Sequence, residues 1–159
     1  MATALKNLSD YNSSDLGDPS SLRIGIVVAH WNEEITSALY RGAYDTLVKE
    51  GVSEAHITTV QVPGSFELPY ACKQLITTYA PDAVIAIGSV IQGETKHFDY
   101  VCQATAQGIM DLNTQTDTPV IFCVLTDNTW QQAKDRSGGK HGNKGVEAAV
   151  AAIQMAQLS

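Results

Sequence analysis

Residues 83–100, AVIAIGSVIQGETKHFDY, join an uncharged apolar run to a stretch with helical periodicity. The run over residues 83–87 ends at Gly88, which is typical of a strand buried on both faces of a parallel sheet. From Phe98 to Leu112, apolar or small side chains recur at the spacing of one helix face. The sequence therefore predicts a strand, a turn over residues 88–97 and a helix.

The predicted turn lies at the carboxyl end of a strand, where open α/β sheets bind their ligands. The free amides of the new helix suit an anion, and Gly93 lets the backbone approach it closely. Thr95 adds a hydroxyl donor, and His97 adds a side chain that can move protons near neutral pH. We therefore interpret the turn as a candidate site.

Two other interpretations of the turn remain open at this point. Its spacing of Gly88 and Gly93 approaches that of a P-loop, but Glu94 stands where that loop needs a lysine for the phosphates. The turn also fits an ordinary strand–turn–helix in which Thr95 is a cap and His97 is exposed.

The same alternation of strand and helix runs along the rest of the chain. Further apolar strands are predicted over residues 22–29, 56–62 and 120–125. Four strands separated by helices indicate an α/β fold with a four-stranded parallel sheet. Residues 1–21 are predicted to form an irregular N-terminal arm, which could end in an additional edge strand of the sheet. Residues 22–159 are predicted to form a single domain.

Helix boundaries follow from capping residues. Asn32 is expected to cap a helix that ends at Gly51. Ser65 is expected to cap a helix over residues 66–79, and Asp127 or Asn128 a short helix through residue 136. A last helix is predicted over residues 146–158.

The net charge of −7 argues against nucleic acid and anionic membranes as partners. The positive charge is concentrated, since four of the ten basic residues lie within eleven positions: Lys134, Arg136, Lys140 and Lys144. In an acidic chain, this cluster is a candidate anion site.

The cysteines at positions 72, 102 and 123 are odd in number and lie in apolar contexts, which predicts buried free thiols in a reducing compartment. No apolar run reaches membrane-spanning length and no secretory signal is recognisable, so we expect a cytoplasmic protein. The histidines lack metal-ligand spacing and no CxxC occurs, so no metal site is expected.

Several predicted strands end in aromatic or polar residues, and in a parallel sheet these ends share one edge. Trp31 follows the first strand and is a candidate stacking platform for a heteroaromatic ring, although packing alone would also explain it. Glu67 follows the second strand, where it suits the helix dipole or a hydrogen-bonding ligand.

The small sheet and the alanine-rich last helix suggest that other subunits complete the burial of the chain. Alanine side chains allow close packing between helices, and they occupy positions 148, 149, 151 and 152.

Several motifs, taken in order, resemble the 6,7-dimethyl-8-ribityllumazine synthase family over residues 22–158. They are PGSFELP at residues 63–69, GSVIQGETKHFDY at 88–100, PVIF at 119–122, Arg136 and GNKG at 142–145. This resemblance implies a flavodoxin-like three-layer sandwich. It also implies condensation of 5-amino-6-(D-ribitylamino)uracil with 3,4-dihydroxy-2-butanone 4-phosphate, which releases phosphate and water and uses no metal or organic cofactor.

The resemblance also implies roles for individual residues. His97 would transfer protons. The pyrimidine and its ribityl chain would be bound by Trp31, Ser65, Phe66, Glu67, Ser89, Val90, Ile91 and Phe122. The phosphate would be bound by Glu94, Thr95 and Arg136, and Lys144 and Glu147 match positions close to the site.

Gln92 departs from the family, which usually has a basic residue there, and leaves the turn less positive. A non-catalytic protein that binds flavin or lumazine is the alternative function. Intact His97 and Arg136 argue against it, because a binding protein needs neither proton transfer nor a phosphate site.

The resemblance further implies a homo-oligomer built from pentamers, with sites shared between adjacent subunits and riboflavin synthase as a further partner. The short segment SGGKHGNKG, residues 137–145, resembles the version in members that form icosahedral shells of twelve pentamers. From this segment we expect a shell. The resemblance implies that each site takes Trp31 and His97 from one subunit and Phe122 and Arg136 from the next.

Overall fold

A computed structural model describes residues 7–158 of the chain. Strands and helices alternate along it: β1 (Ile24–Ala29), α1 (Glu33–Glu50), β2 (Ile57–Val62), α2 (Leu68–Tyr79), β3 (Ala83–Ile91), α3 (His97–Gln115), β4 (Val120–Asp127), α4 (Trp130–Arg136), β5 (Ser137–Gly139), β6 (Gly142–Asn143) and α5 (Lys144–Ala156). Short 3₁₀ turns occur at Ser13–Asp15, Glu54–His56 and Ser65–Glu67.

The four long strands form one parallel sheet in the order β2-β1-β3-β4. This confirms the predicted α/β class and parallel sheet. The order is that of a flavodoxin-like sheet, in which the chain changes direction across the sheet between β1 and β3. Residues 7–23 contain no strand, so the N-terminal edge strand that the sequence left open does not occur there.

The helices cover both faces of the sheet and give three layers. On one face, α1 and α5 pack on alternate strand residues such as Ile26 and Ile85. On the other face, α2 and α3 pack on the intervening residues, such as Val27 and Val84. Because both faces are covered, β1 is buried along its whole length, as its uninterrupted apolar run predicts.

The ends of α1 show where cap predictions hold and where they fail. Gly51 ends the helix with φ 111°, a left-handed conformation that favours glycine, as expected. Asn32 precedes the helix but makes no side-chain cap bond, so its predicted role is wrong. The predicted cap of α4 is also wrong, because Thr129 accepts the hydrogen bond from the Gln132 amide in place of Asp127 or Asn128.

The third strand is longer than predicted. The sequence places the turn from Gly88 onward, but the β3–β4 ladder continues from Gly88 opposite Val124 to Ile91 opposite Asp127. The prediction ended β3 too early, because β4 also extends past residue 125 and supplies hydrogen-bonding partners for the additional residues of β3. The turn therefore spans residues 92–96 and α3 begins at His97.

Three of the four alanines of α5 that the sequence linked to a subunit contact pack inside the chain, whereas Ala151 is half-buried. Ala148, Ala149 and Ala152 are buried in the cluster that contains α1. A side chain at Gly145 would approach the Leu39 carbonyl oxygen of α1 to 1.9 Å, so the helices need glycine at this crossing.

Two of the three cysteines are buried as predicted. Burial raises the pKa of the Cys72 and Cys123 thiols to about 12. Cys102 on α3 is only half-buried, so the prediction is wrong for that residue. No helix among residues 7–158 combines the length and hydropathy needed to cross a membrane.

Candidate active site

A cleft of about 770 Å³ lies at the carboxyl edge of the sheet, beside β1 and β3. This volume falls in the range of small-molecule sites, and the position is the one that flavodoxin-like sheets use. Three segments supply most of the lining, namely the end of β3, residues 63–67 after β2, and the start of α3.

Trp31 is presented to this cleft by the unusual backbone of the next residue. Asn32 has φ 60°, and its Nδ2 donates to the Ser89 carbonyl oxygen at 2.9 Å, which links the end of β1 to β3. The Trp31 amide donates to the Pro63 carbonyl oxygen at 3.0 Å. The indole is fixed at its backbone yet 72% exposed, so a ring is free to stack on it.

Two serine hydroxyls in the cleft are buried without a partner among the described residues. They belong to Ser65, which the sequence predicted to be a cap, and to Ser89. A side chain at Gly88 would lie 2.4 Å from the Ser65 Oγ, so glycine permits this close approach. Because buried hydroxyls are normally hydrogen-bonded, these two suit a polar ligand.

Glu67 stabilises the turn that carries these groups. Its Oε2 accepts a hydrogen bond from the Gly64 amide at 2.9 Å. The Ser65 carbonyl oxygen accepts one from the Thr105 hydroxyl of α3 at 3.1 Å. Phe66, between them, is exposed and lines the cleft. The polar contacts therefore hold the turn while Phe66 faces a ligand.

The loop after β3 brings Thr95 and His97 to the same cleft. The Thr95 hydroxyl accepts a long hydrogen bond from the His97 amide at 3.4 Å, but no side chain caps α3 among residues 7–158, so Thr95 is not a helix cap. The His97 side chain is exposed, and no hydrogen bond within residues 7–158 fixes its ring. The amides of the first turn of a helix have no partners in the helix itself, which suits an anion.

Of the residues assigned to the site by resemblance, Glu94, Phe122 and Arg136 do not line this cleft. Phe122 lies in β4, the edge strand of the sheet, with a side chain that is 37% exposed. Arg136 ends α4 beyond that strand, 3.6 Å from the Asp127 carboxylate. The structure thus leaves these three candidate residues outside the cleft of their own chain.

The basic cluster is largely neutralised by carboxylates. The Lys134 Nζ lies 2.8 Å from Glu34, and Lys144 contacts Glu147 three residues further along α5. The interpretation of the whole cluster as an anion site is therefore corrected, since the lysines at 134 and 144 are engaged in ion pairs.

Sequence reasoning did not single out Phe98, Tyr100 and Val101, which also line the cleft. Tyr100 is 70% exposed and lies three residues after His97, hence on the same face of α3. That spacing is the signal that could have identified it.

The arrangement combines an exposed indole, two buried hydroxyls that lack partners among the described residues, a helix N-terminus and an imidazole. Together these groups can hold a polar heteroaromatic ligand beside an anion and move protons between them. Among residues 7–158, no group of three or more histidine, cysteine or acidic side chains is placed to hold a metal ion.

Comparison with known proteins agrees with the family resemblance of the sequence motifs. The sequence model of the family described as 6,7-dimethyl-8-ribityllumazine synthase matches residues 21–159. The enzyme of that name from Christiangramia forsetii is 57% identical over 99% of this chain and 95% of its own length. Those from Flavobacterium johnsoniae and Porphyromonas gingivalis are 58% and 55% identical, over 99% of this chain and 83% and 98% of their own lengths.

Proposed function

The chain belongs to the 6,7-dimethyl-8-ribityllumazine synthase family, and we propose that the cleft beside β1 and β3 is where it carries out the family's reaction. It is a transferase of riboflavin biosynthesis that condenses 5-amino-6-(D-ribitylamino)uracil with 3,4-dihydroxy-2-butanone 4-phosphate. The observation that carries the location is the presence of Trp31, Ser65, Ser89 and His97 in one cleft.

We assign the pyrimidine to the face of Trp31 and the ribityl hydroxyls to the polar groups behind it. The hydroxyls of Ser65 and Ser89 have no hydrogen-bond partner within residues 7–158 and are available to a hydroxylated chain. Phe66, Val90 and Ile91 supply the apolar walls of the cleft. Glu67 offers its second carboxylate oxygen to the ring or chain, since one is already used by the Gly64 amide.

We assign proton transfer to His97. Condensing an amine with a ketone and then expelling water and phosphate needs several proton transfers. The imidazole is exposed in the cleft and is free of hydrogen bonds within the described chain, so it can turn from one group to the next. Holding both substrates in one cleft supplies further acceleration.

We assign the phosphate to the start of α3, through the amides around Glu94 and the hydroxyl of Thr95, together with an arginine. A guanidinium paired with amides stabilises a departing dianion. Arg136 matches the family's phosphate arginine but lies with Phe122 outside the cleft of its own chain. We therefore propose that both residues complete the cleft of an adjacent subunit, in a ring that repeats one interface.

The proposed assembly is built from pentamers, and the short segment at residues 137–145 favours a shell of twelve pentamers over a single pentamer. Light scattering distinguishes the two, because the shell has twelve times the mass of the pentamer. We further propose that the domain spans residues 22–159, that the enzyme works in the cytoplasm, and that it associates with riboflavin synthase.

The direct test of the reaction is the formation of the lumazine from the two substrates by the purified protein. We expect stoichiometric release of inorganic phosphate with each lumazine formed. The relatives' names do not favour a non-catalytic flavin-binding protein, which would bind the product or riboflavin but would form neither lumazine nor phosphate. Binding of flavin without formation of lumazine and phosphate would refute the proposed enzymatic function.

A further inference from the structure

A buried carboxylate stands behind the arginine that we assign to phosphate. Asp127 is the last residue of β4 and is 7% exposed. Its Oδ1 lies 3.6 Å from an Nη of Arg136, and its Oδ2 has no hydrogen-bond partner among residues 7–158. Burying a carboxylate with one unsatisfied oxygen costs stability, so this arrangement needs an explanation.

The contact between the two side chains is electrostatic and does not orient the arginine. A separation of 3.6 Å is longer than a hydrogen bond. The same Nη donates to the Gln132 carbonyl oxygen at 3.0 Å, which anchors the guanidinium to α4 without help from Asp127. The other N–H groups of Arg136 make no hydrogen bond within residues 7–158 and are available to a ligand.

Asp127 is also the acidic residue that forms an ion pair with Arg136. No other acidic side chain in residues 7–158 lies within 4.0 Å of that guanidinium. The carboxylates of Glu34 and Glu147 pair instead with Lys134 and Lys144. Burial raises the pKa of the Asp127 carboxyl, and the guanidinium opposes that rise.

The backbone at Asp127 is held independently of the side chain. Its carbonyl oxygen accepts a hydrogen bond from the Gln92 amide at 2.9 Å, and the residue pairs with Ile91 in the ladder. A substitution that preserves the shape of the side chain therefore changes the charge beside Arg136 with little effect on the strand.

We propose that the Asp127 carboxylate acts through Arg136 to weaken its affinity for phosphate, so that the inorganic phosphate formed in the reaction dissociates. The inference rests on the proposed phosphate role of Arg136. A phosphate dianion at the guanidinium is repelled by the negative charge behind it. Asp127 touches neither substrate in this account and tunes the strength of the anion site.

The test is the affinity of inorganic phosphate, measured by calorimetry and as product inhibition, for the assembled wild-type protein and Asp127→Asn. Removing one nearby charge should tighten phosphate binding by about three- to tenfold. KM for the butanone phosphate should fall by a similar factor, and KM for the pyrimidine should not change. The Arg136→Ala variant and the double variant complete a cycle in which Asp127→Asn should have no effect without the arginine.

Unchanged or weaker phosphate binding by Asp127→Asn, with Arg136→Ala still losing it, would overturn this inference alone. Equal tightening with and without the arginine would also overturn it. If Arg136→Ala binds phosphate normally, the proposed role of Arg136 fails together with the inference. A second variant, Asp127→Thr, also removes the carboxylate and introduces a side chain that is favoured in strands. Its phosphate affinity is judged by the same criteria. Failure of both Asp127 variants to assemble would instead assign the residue to folding and reject the proposal.

Discussion

The cleft beside β1 and β3 and the end of β4 with α4 differ in how their chemistry is held. In the cleft, the backbone is fixed by the Asn32–Ser89 hydrogen bond, while the hydroxyls of Ser65 and Ser89 have no partner in the described part of the chain. At the end of β4, Arg136 is already paired with Asp127, and Phe122 lies on the open edge of the sheet. The first region is a pocket, and the second is a surface.

This difference explains why one chain would hold only part of a site. The cleft can bind a ring and its hydroxyls with groups of its own chain. A charged leaving group also needs a cation, and Arg136, the arginine assigned to the phosphate, lies outside that cleft. Proton transfer should therefore depend on the cleft, whereas phosphate binding should need Arg136 in addition to the amides and the Thr95 hydroxyl at the start of α3.

The largest expected effect is on the cleft side, at His97. His97→Ala should lower kcat by roughly 10²–10⁴-fold if the imidazole is the general acid–base, with little change in pyrimidine affinity. Steady-state kinetics and calorimetry give the two quantities. His56→Ala is the matched control, because His56 is exposed at the opposite edge of the sheet, before β2. Turnover near the wild-type rate in His97→Ala would remove this residue from the mechanism.

A smaller and more selective effect is expected from the second region. Arg136→Ala should weaken butanone phosphate and inorganic phosphate by roughly 10–10²-fold, because hydrogen bonds to charged groups are lost. Pyrimidine affinity should stay close to that of wild type. Arg136→Lys should restore only part of the loss, since lysine offers no bidentate fork.

Arg41→Ala provides a charge-matched control for this experiment, because Arg41 is exposed on α1. Equal losses for both substrates in Arg136→Ala would contradict the division between the two regions.

The smallest expected effect is spectroscopic. Riboflavin or the lumazine product stacked on Trp31 should quench its fluorescence, whereas Trp130 on α4 does not line the cleft. Trp31→Phe should retain flavin binding to within a few-fold, because phenylalanine can also stack, but should lose most of the quenching. Trp130→Phe should keep it. Quenching that survives in Trp31→Phe would refute the stacking role.

The sequence predicts the fold well where one physical cause dominates. Uninterrupted apolar runs identify the strands, and Gly51 marks a helix end because few other residues adopt its φ of 111°. The end of β3 was not predicted, because Gly88 and Ser89 resemble a turn unless the length of β4 is known. Asn32 was misinterpreted because its amide bonds to Ser89, 57 residues away.

The candidate site, like the fold, could be predicted from the sequence only in part. Motifs in the sequence identify Trp31, Ser65 and His97, and their shared cleft follows from parallel strands that end at one edge. Local sequence does not indicate that Asp127 is buried beside Arg136, since that contact depends on how α4 lies over β4. Side-chain pairing between elements is therefore the information that the structure adds.

A complete site should combine His97 of one subunit with Arg136 of the next, and mixing of subunits is the decisive experiment. Inactive His97→Ala and Arg136→Ala proteins are unfolded, combined in equal amounts and refolded, with refolded wild type as the reference. Random assembly should place an intact His97 region against an intact Arg136 region at roughly a quarter of the interfaces. The refolded mixture should therefore recover about that fraction of wild-type activity. A mixture that assembles into oligomers of normal size yet stays inactive would show that the site lies within one subunit.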